Sequence, residues 1–126
     1  MSSPVPTVDQ LFPSHRLEAG RRVSESFFTE FPDLEARYGD RGRKYCDHDN
    51  AYLLTWLEQA LDAPGGPALL ASNIEWLGSV LEARVFPMDA FRRNLVLVAD
   101  VLADERPDDA ARIRALMDGV QRPPPP

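Results

Sequence analysis

Along nearly all of this chain, apolar residues recur every three or four positions with polar residues between them. That period is helical. Ser14 can cap a first helix, in which Leu17, Val23, Phe27, Phe28 and Phe31 form an irregular apolar side until Pro32 interrupts. Asp33 to Tyr38 predicts a short second helix that packs Leu34 and Tyr38. The segment GDRGRK follows, with two glycines, four charges and nothing to bury, and reads as a mobile basic loop. Asp47 is placed to cap the next helix, which runs to Leu61 on an inward line of His48, Tyr52, Trp56 and Ala60, widened by Leu53, Leu57 and Leu61. The turn DAPGGP ends it.

Pro67 suits a first helical position, and the helix after it reaches about Arg84 with Leu69, Leu70, Ile74, Leu77, Val80 and Leu81 as its apolar positions and Trp76 toward one edge. Val85 to Met88 reads as a connector. Asp89 to Ala103 has the run LVLVADVL, in which valine favours a strand. Phe91, Leu95, Val98, Ala99 and Leu102 keep a helical period and decide for a helix. Pro107 with Asp108 and Asp109 is a well-formed helix start, leading to Ile113, Leu116, Met117 and Val120, with Gly119 as the expected stop. The prediction is therefore all-α: a compact bundle of about five principal helices over residues 14–120. A flexible N-terminal segment, residues 1–13, with a small capped turn at Thr7 to Gln10, would precede it. A proline-rich tail, residues 121–126, would follow.

Length and composition narrow the classes. A chain of 126 residues supports one domain with a real core. Its net charge of −6 argues against nonspecific nucleic-acid binding or attraction to anionic membranes, so neither is expected as a partner. One cysteine, Cys46, rules out an internal disulfide and any multi-cysteine metal site, and fits a reducing cytoplasm. The first ten residues carry no secretory pattern, and no apolar run has membrane-spanning length. Charge is also uneven. Arg37, Arg41, Arg43 and Lys44 cluster just before a stretch, Asp47 to Glu82, that holds six acids and no lysine or arginine. Such a basic loop would orient an acidic partner, although two solvated faces explain the pattern more simply.

Chemistry-bearing residues are few. His48 shares a predicted helix side with Tyr45, Tyr52 and Trp56, so it could exchange a proton as an acid/base group, contact a ligand or ligate iron. A half-buried structural histidine is the commoner case. Asp49 is adjacent in sequence and so off the same face. His15 sits at a helix start. Neither histidine follows a glutamate by three residues, which leaves Glu58, Glu75 and Glu82 without the pattern of a di-iron bundle, and no metal ligands are assigned. Cys46 lacks a histidine at helical spacing and is not read as a nucleophile, and GGP at 65 to 67 lacks the lysine of a phosphate loop. No catalytic residue is assigned. Trp56, Trp76, Tyr52 and Phe91 could surround a planar ligand or fill a core or dimer interface. Trp76 with Asn73 and Arg84 would make a helix-to-helix contact.

His48, Tyr52-Leu53, Ala60-Leu61, Pro64, Trp76, Val80-Leu81, Arg84 and Pro87, followed by the Phe91 and Leu95 stripe, together resemble the helical segment that precedes the cobalamin-binding domain of bacterial B12-dependent sensors and related regulatory proteins. The resemblance covers about half the chain. It implies a four-helix bundle covering the upper face of cobalamin, with a separate α/β domain supplying the lower-face histidine. No strand-rich region or glycine-rich nucleotide loop is present in this sequence, so autonomous cobalamin binding is not expected from it.

Two expectations result, besides a small helical enzyme using His48. One is a non-enzymatic helical regulatory or protein-interaction module with no cofactor, acting through a protein partner or self-association as a homodimer. The other is a sensor domain binding cobalamin or another planar ligand. For either, the ligand or interface candidates are Tyr45, His48, Tyr52, Trp56, Asn73, Trp76 and Arg84.

Overall fold

The computed structural model describes residues 12–121, and among them it contains five α-helices and no strand. They are α1 (Ser14–Glu30), α2 (Pro32–Asp62), α3 (Gly66–Ala83), α4 (Met88–Glu105) and α5 (Ala110–Gln121), the last preceded by a 3₁₀ turn at Pro107–Asp109. The all-α bundle expected from periodicity is what forms. The capped turn at Thr7 to Gln10 and the tail after Gln121 fall outside the described residues. No helix is long and apolar enough to cross a membrane, among the described residues.

The largest departure from expectation lies in α2. This element is two helical stretches joined at a kink: the short helix expected over Asp33 to Tyr38 forms, and the rest of GDRGRK starts the second stretch, so Arg41, Arg43 and Lys44 lie in a helix and not in a loop. The kink is at Gly39, whose φ of 67° and ψ of −164° only glycine adopts freely. The bend lets Pro32–Tyr38 fold back over the bundle and pack Leu34 and Tyr38, which supplies the apolar contact that the charged stretch lacks. Asp47 is consequently in mid-helix and caps nothing. Nor does Ser14 act as a cap: it is the first residue of α1, with Pro13 before it and no side-chain capping bond.

The inward face of α2 also differs from expectation. Its buried positions are Asn50, Ala51, Leu53, Leu54, Leu57, Ala60 and Leu61, while His48, Tyr52 and Trp56 are half-buried on the flank. The reason is the crossing with α1. There the backbones approach so closely that a Cβ on Gly20 would stand 2.7 Å from the Asp47 carbonyl oxygen and 3.1 Å from the Ala51 nitrogen. This contact sets the rotation of α2 and turns the leucines inward.

Phe27, Leu53, Leu54, Leu57, Leu70, Leu95, Leu102, Ile113 and Met117 form the fully buried centre. Leu69, expected inside, is exposed. Gly119 does not stop α5, which continues to Gln121. Arg16 is the one charged side chain in the buried set, among the described residues, and it ties three helices by reaching Glu58 at 3.0 Å and Glu105 at 3.8 Å.

Candidate functional site

Between α1, α2, α3 and α4 lies a cavity of about 430 Å³. Its walls are mostly apolar: Phe27 and Phe28 of α1, Leu53 of α2, Leu77 and Leu81 of α3, and Phe91 of α4. Tyr38 and Phe86 close one side, their rings stacked with centroids 6.0 Å apart, and Phe86 stacks in turn on Phe27 at 6.3 Å. The Gly39 bend brings Tyr38 there.

Phe86 is placed by the end of α3. Its N–H donates to the Leu81 carbonyl at 2.9 Å, and the Val85 N–H donates to the Glu82 carbonyl at 3.0 Å, the paired bonds of a Schellman closure. Such a closure needs a left-handed residue, and Val85 supplies it at φ 61° where glycine would do so without strain. The closure also presents Arg84 and Phe86 to the cavity.

A line of polar side chains runs through the helix seam to the cavity. Ser24 donates its hydroxyl to the Gly20 carbonyl at 3.1 Å. Asn50 donates Nδ2 to Ser24 Oγ at 3.1 Å and to Cys46 Sγ at 3.4 Å. Asn94 donates Nδ2 to Asn50 Oδ1 at 2.7 Å. Ser24, Asn50 and Asn94 are all buried, and Asn50 and Asn94 both line the cavity. Each bond in the line donates toward the Gly20 carbonyl, and Asn94 Oδ1 is left buried with no hydrogen-bond partner among the described residues.

Charged and ionisable groups stand around this cavity. Burial pushes the Asp49 carboxyl up, against the opposing pull of His48 and Arg84. Burial likewise drives the Cys46 thiol up to about 11, opposed by hydrogen bonding with Ser24 and Asn50 and helped by the charges of Asp49 and Asp47. Cys46 is thus a protonated thiol at neutral pH and a poor nucleophile. Tyr45 is exposed. The Arg41 guanidinium, 3.4 Å from its hydroxyl, holds the phenol below its ordinary range.

The predicted site residues do not converge on one place. Tyr45 and Arg84 line the cavity. Trp56 and Asn73 line a second hollow of about 340 Å³ beside the α2–α3 turn. Tyr52 packs against Trp56, with ring centroids 6.0 Å apart, and its other contact is the ring of Phe12 at 4.7 Å. Trp76 is 62% exposed and lines neither hollow. Of the basic cluster, Arg43 approaches Glu25 and Glu35 at 4.0 and 3.7 Å, and Arg37 and Arg41 lie over the rings of Tyr38 and Tyr45. No group of three or more histidine, cysteine, aspartate or glutamate side chains suited to a metal ion occurs among the described residues.

Ser24, Asn50 and Asn94 escape a search for reactive residues because each is a common polar side chain. Their signal is register. Ser24 lies three residues before Phe27, Asn50 three before Leu53, and Asn94 three after Phe91, all at positions where the helical period calls for an apolar side chain. Compared with known protein families, curated proteins and solved structures, the chain has no match in any of the three.

Proposed function

We propose that this chain is a non-enzymatic ligand-binding regulatory module that holds a small, largely apolar molecule between α1, α2, α3 and α4. The observation that carries this reading is the 430 Å³ cavity with aromatic and aliphatic walls and a few convergent polar groups. Cavities of roughly 300–1,000 Å³ with that lining are the usual form of small-molecule sites. Two of its wall residues, Tyr38 and Phe86, adjoin conformationally unusual positions, the Gly39 bend and the left-handed Val85, which suits a wall that adjusts around a guest. The resemblance to the helical segment of B12-dependent sensors points the same way, toward a bundle that responds to a bound molecule.

Thermal unfolding in the presence of indole, naphthalene and 2-naphthol tests the reading. A guest that binds only the folded state raises the unfolding midpoint in proportion to the logarithm of its concentration. Leu81→Trp, which fills the cavity from its half-buried side, should abolish that rise while leaving the helical circular dichroism intact. If none of the three compounds raises the midpoint at any soluble concentration, the reading fails.

A second reading draws on the outer face of α3 and the turn that follows it. Leu69, Trp76 and Val85 are exposed there, and they suit self-association or a protein partner. Sedimentation measurements over a wide concentration range, with Trp76→Lys as comparison, test it. A monomer throughout would remove the dimer.

A further inference from the structure

We infer that the ligand of this cavity is an uncharged aromatic molecule carrying one hydrogen-bond donor, an O–H or N–H, which pairs with Asn94 Oδ1. The inference rests on the cavity being a binding site and adds the chemical class of its guest. Among the described residues, three buried side-chain atoms lack a hydrogen-bond partner: Arg16 Nη1, Asp47 Oδ1 and Asn94 Oδ1. The first two belong to ionic groups that do not line the cavity, whereas Asn94 forms part of its wall.

The acceptor character of Asn94 follows from the run of the line. Ser24 donates to the Gly20 carbonyl, Ser24 Oγ accepts from Asn50 and Asn50 Oδ1 accepts from Asn94, which leaves the carbonyl of Asn94 as its free atom. Turning the Asn94 amide over, with Asn50 bonded to Ser24 as it is, would set two carbonyl oxygens against each other at 2.7 Å. A buried acceptor left unpaired destabilises the fold, and an arriving donor removes that penalty. The oxygen itself is covered, so pairing with a guest requires a small shift of the wall, an ordinary adjustment on binding.

The rest of the class follows from the walls. Phe27, Phe28, Phe86, Phe91 and Tyr38 present ring edges and faces that favour an aromatic body. Charge is disfavoured because the only charged wall residues are Asp49 and Arg84, of opposite sign, and the interior groups are neutral amides.

Calorimetric titration of the whole chain with 2-naphthol, 2-methoxynaphthalene and naphthalene tests the inference. The first two share a body and differ in the donor. The expected result is 2-naphthol binding about tenfold tighter than its methyl ether or more, the range for pairing a buried acceptor. In Asn94→Leu that preference should fall below about twofold, while Trp76→Ala, which lines neither hollow, should retain it. Equal binding of all three compounds overturns the donor and leaves the cavity as a site. Binding of none overturns both. A preference that survives Asn94→Leu overturns the assignment to Asn94, and if that variant does not fold, the comparison of the three compounds on the unaltered chain still decides for or against a donor.

Discussion

Replacing Gly20 by alanine should destabilise the protein, although alanine is the better helix former by about 1 kcal/mol. The added Cβ would stand 2.7 Å from the Asp47 carbonyl oxygen and 3.1 Å from the Ala51 nitrogen, both backbone atoms of α2 that no rotamer change can move. Ordinary contact begins near 3.4 Å, so α1 and α2 must separate by about 0.7 Å. One turn along the same seam, Asn50 Nδ2 bonds Ser24 Oγ at 3.1 Å, and a stretch of that size takes it beyond hydrogen-bonding range. Overpacking of roughly 1–3 kcal/mol and a weakened buried bond of about 1 kcal/mol outweigh the gain in propensity, for a net loss of about 1–3 kcal/mol. Urea unfolding followed by circular dichroism should then show a midpoint lower by about 1 M with the slope unchanged. Gly119→Ala provides the contrast: it sits in α5 with nothing within 4 Å of the new Cβ and should stabilise by about 0.5 kcal/mol. A Gly20→Ala midpoint at or above that of the unaltered chain would refute the close crossing and the helix rotation derived from it.

Other substitutions probe the cavity and the turn beside it. Val85→Gly should raise stability by about 0.5–1 kcal/mol in the same urea assay, because relief of left-handed strain exceeds the entropy glycine adds to the unfolded chain and the exposed valine loses little packing. Asp49 has its carboxyl raised by burial, so the folded state holds that proton more tightly than the unfolded one. The favourable contribution is complete below the ordinary aspartate value near 4 and is lost as pH rises through the elevated folded value. Asp49→Asn should therefore be more stable than the unaltered chain at pH 7, with the difference vanishing at pH 3; a difference independent of pH would count against the burial of this group. Cys46, with its thiol pushed up from 9.0 to about 11, should react with iodoacetamide at pH 8 about 100-fold more slowly in the native state than in urea. Equal rates would show that the thiol is not enclosed.

How much of this molecule can be read from its residues depends on the range of the interaction involved. Helix content, the five principal segments and the apolar stripe of α4 follow from local period and turn chemistry, which act over a few neighbouring residues. Trp76 at the edge of α3 and the well-formed start at Pro107 follow likewise. The break expected in GDRGRK narrows to one residue, Gly39, and the charged residues after it are helical. Which side of α2 faces inward was equally out of reach, since a crossing with α1 at Gly20, more than twenty residues away in the chain, sets it. Sequence spacing groups Tyr45, His48, Tyr52 and Trp56 on one helix side, and that rotation divides the candidate residues between two hollows and the outer surface. Ser24, Asn50 and Asn94 show most clearly where local rules stop. Each is a polar residue at a core position of its own helix, and nothing in any one segment says that the three meet. Periodicity specifies that helices form and roughly where they end. Their mutual rotation is a property of side-chain volumes and backbone approach across helices, and from that rotation come the cavity, the polar line through the seam and the unpaired carbonyl of Asn94.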